Sequence, residues 1–397
     1  MVAQAICSTA TYGKHYKIGA TMGIPAFSIK ALTGNGGGGG RVDSGYSRIR
    51  KLADYLYEIW FDRLDEEYAK QFFEGKEPKL LDPSIQLHRG TPGCSAIIKN
   101  NIHGRNFDWL FNKGAGFVCH TPEKDGRYAT IGVGGQITQL TEEFVASGVK
   151  SELYKVVPYM IADGMNSQGV TISTLVVPNE NGDNRHVLPN GEVKENICTL
   201  QLPRYVLDNF ATAQEAISYL TESVELYHPL EILSMGYNQH FVVGDKNGTY
   251  LIEFKEGAYV ANMMKFPYAT NFFLDGIQLN KDNTVLTPES KQEGQEPSEV
   301  NLLGTFSSGL ERYNEMALAF EGLKDKADIE ALMLSLKYTK AYNTAPVVSD
   351  PYWYTEFVGS NDLTVDSDVE DFADVVSAAG TAFSNRSRDP QSEYYGT

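Results

Sequence analysis

The chain has 397 residues, of which 42% are hydrophobic, 21% charged and 11% aromatic, and its net charge is −17. The composition is that of a globular protein, and the length allows one large domain or two ordinary ones. Such a negative chain is repelled by nucleic-acid phosphates and anionic membrane surfaces, and no apolar run reaches the roughly 20 residues needed to span a bilayer.

Neither nucleic acid nor membrane is therefore an expected partner. The N-terminus lacks a basic region followed by a sustained apolar core, so no signal peptide is read and a cytoplasmic location is expected. Cys7, Cys94, Cys119 and Cys198 are widely spaced and form no CxxC pair. That pattern argues against a disulfide framework or a structural zinc site. No metal or organic cofactor is expected.

Residues 1–93 differ from the rest. Gly34 to Gly40 is nearly pure glycine, too flexible to pack. Leu52, Tyr55, Leu56, Ile59, Trp60, Leu64, Tyr68 and Phe72 then recur at helical spacing among charged residues, which predicts an amphipathic helix over about 49–73. It belongs either to a pro-segment or N-terminal subunit lying on a catalytic domain of residues 94–397, or to the surface of one continuous fold. From Cys94 the character is β. Gly93 to Ile98 and Gly104 to Trp109 read as a hairpin, with Asn and Gly supplying the turn. Further strands are expected at Gly116–His120, Tyr128–Ile131, Gly169–Val177, His240–Gly244, Thr249–Phe254, Gly257–Ala261 and Trp353–Val358. Helices are expected over Glu142–Pro158, over Pro203–Leu220 and from Gly309. Gly132 to Gly135 reads as a flexible turn, because no Lys or Ser/Thr signature of a phosphate loop follows. The acidic tail from Thr364 reads as a peripheral helix and a loose end. This order argues for a mixed, largely antiparallel sheet covered by helices.

Cys94 is the strongest candidate for chemistry. It follows Thr91, Pro92 and Gly93, and Arg105, Asn106 and Asp108 lie one hairpin away. If the Gly93–Cys94 bond is cut, Cys94 gains a free α-amine beside its own thiol. Their ordinary pKa values, about 7.7–8.0 and about 8.5, both lie near neutrality. The amine can therefore take the thiol proton and return it to a leaving amine. Arg105 is placed to favour the thiolate, and Asp108 to bind the new ammonium group. Read without function, Cys94 is an inert buried thiol and Arg105 with Asp108 an ion pair closing the hairpin. His103 and His120 read as turn or core residues, and Cys119-His120 has no metal spacing.

Cys94 followed by a hairpin and Arg105-Asn106-Phe107-Asp108-Trp109 resembles the choloylglycine hydrolase family of N-terminal-nucleophile cysteine amidases. These include conjugated bile salt hydrolases and penicillin V acylases; acid ceramidase-like amidases are more distantly similar. Four more stretches match in order. They are Asp163 to Val170, Gln239 to Phe254, Ala269-Thr270-Asn271, and Gly304 to Tyr313 with one extra residue. The resemblance implies a four-layer αββα sandwich of two antiparallel sheets. It implies Cys94 as nucleophile and new N-terminus, Arg105 and Asp108 flanking it, Asn271 at the acyl-transfer centre and Arg312 bracing the opposite wall. Trp109, Val176 and the stretch around Ile137 would border the substrate. The reaction implied is hydrolysis of a linear amide of an N-acyl or amino-acid-conjugated substrate through an acyl-thioester. Relatives are often tetramers, so a homo-oligomer is an expectation.

Two departures stand out. Where bile salt hydrolases carry an oxyanion-binding Asn, this chain has Val176, whose side chain cannot donate. Losing such a donor costs about 100–1,000-fold, so either backbone N–H groups with Asn271 replace it or the alignment register at Val176 is shifted. The departure weakens a bile-salt assignment. Many close relatives also begin one Met before the Cys, whereas 93 residues precede it here. Autoprocessing at Gly93–Cys94 is therefore expected. The alternatives are a bile salt hydrolase or penicillin V acylase proper, a dormant homologue whose N-terminal segment covers the pocket, and a conventional Cys–His enzyme using His240 or His120.

Overall fold

The structure is a computed structural model that describes residues 46–53, 56–73, 94–99, 102–109, 115–137, 152–178, 185–186, 193–227, 237–255, 258–263, 268–286, 309–322, 352–360 and 381–383. Its strands are β1 Tyr46–Ala53, β2 Leu56–Phe61, β3 Ser95–Lys99, β4 Ile102–Trp109, β5 Ala115–Thr121, β6 Thr130–Ile137, β7 Ile161–Asn166, β8 Thr171–Pro178, β9 Arg185–His186, β10 Glu195–Cys198, β11 Val224–Tyr227, β12 Tyr237–Asp245, β13 Gly248–Lys255, β14 Ala258–Met263, β15 Tyr268–Ala269, β16 Tyr352–Ser360 and β17 Thr381–Phe383. Its α-helices are α1 Glu66–Gln71, α2 Leu202–Asn209, α3 Ala213–Ser223 and α4 Gly309–Gly322.

Two large sheets organise the molecule. The first has nine strands in the order β1-β2-β5-β6-β7-β8-β12-β13-β14, and the second has five in the order β15-β3-β4-β16-β17. All their neighbours are antiparallel except the parallel pair β2–β5. The fold is therefore mixed α/β with several sheets, as the element order implied. β3 and β16 lie against β7 and β8 of the larger sheet, so the two sheets face each other. Cys94, Ala96, Ile98, Leu175, Val242, Leu251 and Ala269 form the apolar layer between them. On the other side of the larger sheet, Val206, Leu207, Ile217 and Leu220 of α2 and α3 pack on Ile172, Phe241, Val243 and Ile252. On the other side of the smaller sheet, Tyr313, Met316 and Ala317 of α4 pack on Ile97 and Tyr268. Burying one such side chain stabilises by about 1.5–3 kcal/mol.

Several expectations are corrected. Residues 49–73 are not one helix but β1, β2 and the short α1, which Asp65 caps by accepting from Tyr68 N at 3.0 Å. The run Leu56 to Phe61 is so densely apolar and aromatic that it satisfies either period, and the free side of β5 offers backbone partners that decide for a strand. Gly132 to Gly135 lies inside β6 rather than in a turn. A Cβ on Gly134 would lie 2.5 Å from the Met160 carbonyl oxygen, so glycine here serves close strand approach. Within Glu142–Pro158 the described part holds two 3₁₀ turns, Glu152–Lys155 and Val157–Tyr159. The helix at 203–220 is two helices, because Thr212 leaves helical geometry and caps α3. In the tail, 381–383 pairs with β16. The glycine stretch 34–40, Gly93, residues 142–151 and the acidic run 364–380 lie outside the described residues.

Two of the sequence motifs prove architectural. Asn166 accepts from Gln168 N and Val170 N, both at 3.0 Å, and donates to the carbonyls of Leu207 and Phe210 at 3.0 and 2.8 Å. It closes the β7–β8 turn and ties it to the end of α2. Asp245 likewise holds the β12–β13 turn through Asn247 N at 2.7 Å and Gly248 N at 3.1 Å, and caps α3 through Ala213 N at 2.8 Å.

Candidate active site

Cys94 sits immediately before β3 and is only 1% exposed. Alternation along β3 sends Cys94, Ala96 and Ile98 into the inter-sheet layer and Ile97 toward α4. Cross-strand pairing sets Arg105 of β4 opposite Ala96, on the same face as Cys94. Arg105 Nη2 donates to Cys94 Sγ at 3.2 Å. The same guanidinium donates to the Thr174 carbonyl and pairs with Asp163, both on the facing sheet. Arg105 and Asp163 are each 1% exposed, so this is a fully buried ion pair. Breaking such a pair by removing one partner typically costs about 3–5 kcal/mol.

A second guanidinium reaches Cys94 from the helix side. Arg312 of α4 donates through Nη1 to the Cys94 carbonyl and to Ser95 Oγ at 2.8 Å. Its Nη2 donates to Asn271 Oδ1 at 2.7 Å. Because Arg312 can only donate, the Asn271 atom facing it is the oxygen, which turns Nδ2 toward the Val176 carbonyl, 2.6 Å away. An amide nitrogen carries two hydrogens, so Nδ2 has donor capacity beyond that bond. The Asn271 loop docks on the start of α4, with Thr270 Oγ1 donating to the Gly309 carbonyl at 2.6 Å. A Cβ on Gly309 would stand 3.3 Å from the Asn271 carbonyl oxygen, which is why glycine suits the contact.

Of the sequence-predicted residues, Cys94, Arg105, Asn271 and Arg312 thus meet in one buried hydrogen-bonded cluster. Val176 joins through its backbone carbonyl. The Asp108 backbone pairs with Trp353 in β16, and the side chains of Asp108, Trp109 and Ile137 lie outside the described residues. His103 is core, fully buried, with its ring nitrogens 3.0 Å from Thr171 Oγ1 and Ser173 Oγ. Burial, and then the Arg105 charge, push its pKa down to about 3, so it is neutral at physiological pH. His120 stacks on Trp60 and bonds Glu58 at 2.8 Å. His240 bonds Glu253 through Nδ1 at 3.1 Å, and its Nε2 has no hydrogen-bond partner among the described residues. Neither His120 nor His240 is hydrogen-bonded to Cys94, unlike the base of a Cys–His enzyme. Among the described residues no cluster of His, Cys, Asp or Glu suits a metal, and no helix is long and apolar enough to cross a membrane.

Sequence reasoning passed over Asp163 and Glu253 as site residues, although both lie in the matching motifs. Glu253 accepts from Leu274 N and Asp275 N, each at 2.8 Å, and from His240. It thereby fixes the loop that follows Asn271. The signal available was a lone acid in an otherwise apolar strand, Leu251-Ile252-Glu253-Phe254, since buried carboxylates are rare unless paired.

Residues 94–260 match the model of the family described as linear amide C-N hydrolases, choloylglycine hydrolase family. Over this stretch the chain is similar to that family. Its enzyme class is accordingly that of hydrolases acting on the C–N bonds of linear amides. The match begins at Cys94 and includes Arg105, Asp163, Val176 and Glu253, while Asn271 and Arg312 lie beyond it. Among solved structures, a conjugated bile acid hydrolase from Clostridium perfringens is similar at 17% identity and a TM-score of 0.39, covering 71% of this chain and 94% of that one. Penicillin V acylase from Agrobacterium tumefaciens is similar at 15% identity and a TM-score of 0.39, covering 68% and 82%. No curated protein matches.

Proposed function

We propose that this choloylglycine hydrolase-type chain is a precursor that cuts itself at Gly93–Cys94 and then hydrolyses a linear N-acyl amide with Cys94 as N-terminal nucleophile. The observation that carries the reading is the convergence of Cys94, Arg105, Asn271 and Arg312 from four separate elements. Two facing sheets with helices on both outer sides fit the four-layer sandwich that the reading requires.

In the processing step Cys94 Sγ attacks the Gly93 carbonyl carbon. The C–N bond breaks, the acyl group passes to sulfur, and water opens the thioester to leave a carboxylate on Gly93 and an amine on Cys94. In turnover that amine accepts the thiol proton while Sγ adds to the substrate carbonyl. Negative charge develops on the carbonyl oxygen, and in this reading the second Nδ2 hydrogen of Asn271 donates to it. Arg105 stabilises charge on sulfur. The amine returns its proton to the departing nitrogen, the C–N bond breaks, and an acyl-thioester remains. Water then attacks, with the amine as base, and releases the acid. The substrate is a small molecule with an apolar acyl group; bile-acid, phenoxyacetyl and fatty acyl amides are the classes to try.

A second reading, a dormant homologue, draws on the 1% exposure of Cys94 in the uncut chain. Intact mass and amide hydrolysis decide between them. Wild type starting at Cys94 and hydrolysing an N-acyl amide, beside uncut and inactive Cys94→Ala, supports the first. A wild type left full length and silent toward the whole panel refutes it.

A further inference from the structure

The segment ahead of Cys94 is woven into the catalytic body rather than laid over it. β2 pairs in parallel with β5 from Leu56↔Gly116 to Trp60↔His120, and β1 continues the sheet beyond it. Both faces of β2 are buried. On one, Tyr57, Ile59 and Phe61, joined by Phe72 after α1, enter the core of Phe117, Tyr154, Val156 and Val157. On the other, Glu58 is 3% exposed and bonded to His120, while Trp60 stacks on the same ring at 5.1 Å. Polar contacts clamp the turn that follows. Lys155 Nζ lies 3.0 Å from Asp65 Oδ2 and 5.0 Å from the Tyr68 ring centroid, and Arg127 pairs with Glu66. Without β2, β5 would present unpaired backbone groups at a sheet edge and an opened apolar core, the two conditions that favour aggregation.

We propose that residues 46–73 are a permanent structural subunit: once the chain is cut before Cys94, this part stays bound as a second, non-covalent chain. The proposal deepens the processing reading but holds whatever makes the cut. Residues 74–93 separate the docked segment from Cys94, so a cut at 93–94 breaks none of these contacts.

The test places a site-specific protease sequence between residues 74 and 93 of full-length Cys94→Ala protein. The nicked protein is run on gel filtration, then weighed under native and denaturing conditions. Both pieces are expected to co-elute and to separate only in denaturant. Ile59→Asp in the same background sets a carboxylate in the apolar core, and is expected to weaken retention by about 100-fold or more. If Ile59→Asp does not fold, Ile59→Ala replaces it, with a smaller loss expected in the same direction. Release of the N-terminal piece from a 94–397 body that stays soluble and as heat-stable as the nicked complex would overturn the proposal. So would retention unchanged by either substitution. Wild type run alongside reports self-cutting separately, so failure of processing and failure of retention are distinguishable.

Discussion

His103 offers a test that needs no substrate. It lies between the two sheets, fully buried, bracketed by Thr171 and Ser173 and near Arg105, and its pKa falls from 6.5 to about 3. In the unfolded chain the ring returns to an ordinary value near 6.5. Between these pH values the unfolded state binds a proton that the native state refuses, so native stability is full above pH 6.5 and drains away as pH falls toward 3. At pH 4.5 the loss from this one group is about 3 kcal/mol, rising to about 4 kcal/mol near pH 3. Against a typical domain stability of about 5–15 kcal/mol that is a large share. Urea unfolding at pH 7.5 and 4.5, on wild type and His103→Gln, isolates it. Wild type should lose about 3 kcal/mol more than the variant over that interval, whatever the variant's own stability at pH 7.5. The His103 ring resonances should also show no titration above about pH 4. Equal losses in the two proteins, or a ring titrating near pH 6.5, would refute the argument.

Further outcomes bear on the site itself. Cys94→Ala should abolish both self-cutting and amide hydrolysis, read by intact mass and product release. Asn271→Leu, which removes the donor aimed toward Val176, should lower kcat by about 100–1,000-fold and slow self-cutting as well, read by product release and intact mass. Glu253→Gln puts an amide NH₂ against one of the two backbone N–H groups it holds; a loop shift worth about 1.4 kcal/mol in the transition state would lower kcat tenfold with KM little changed. A KM effect alone would remove Glu253 from the positioning role. Arg105→Met removes the guanidinium paired with buried Asp163 and should cost about 3–5 kcal/mol of stability, measured by denaturant midpoint; Arg105→Met with Asp163→Asn should recover most of it.

Much of this was legible in the chain because period-2 alternation and turn residues are local signals. Ser95 to Trp109 folds as the expected hairpin, and the strands over 171–178, 237–245, 248–255 and 352–360 lie where their patterns put them. The failures share a cause. The strand Leu56–Phe61 has apolar side chains on both faces, with Glu58 among them, because it is an interior strand, and such a run carries no clean period. Gly132 and Gly134 looked like a turn because the demand they answer, close approach of β7, lies in a neighbour rather than in their own sequence. In the candidate site, the motifs named Cys94, Arg105, Asn271 and Arg312, which the fold brings together. They could not disclose that Asp163 would be the carboxylate gripping Arg105, 58 positions away. That partnership depends on how β4 faces β7 across two sheets, which no local spacing encodes.

The two guanidiniums also bear on how processing relates to turnover. Arg105 holds Cys94 through Sγ from the inter-sheet layer, and Arg312 holds it through the carbonyl from the helix side. Neither contact uses the Cys94 nitrogen or anything before it. Asn271 is positioned by Arg312 and Val176, and its loop by Glu253, again without the preceding segment. The groups that would stabilise a sulfur anion and an oxyanion are therefore assembled in the uncut chain. The same Sγ and the same donor can serve the attack on the Gly93 carbonyl and later the attack on a substrate carbonyl. A cut then adds an amine where a peptide nitrogen stood. On this argument the precursor and mature forms should share one fold, and a crystal of Cys94→Ala precursor should superpose on the mature enzyme at Arg105, Asn271 and Arg312. Rearrangement of those three side chains on cutting would show instead that the site is built by processing rather than released by it.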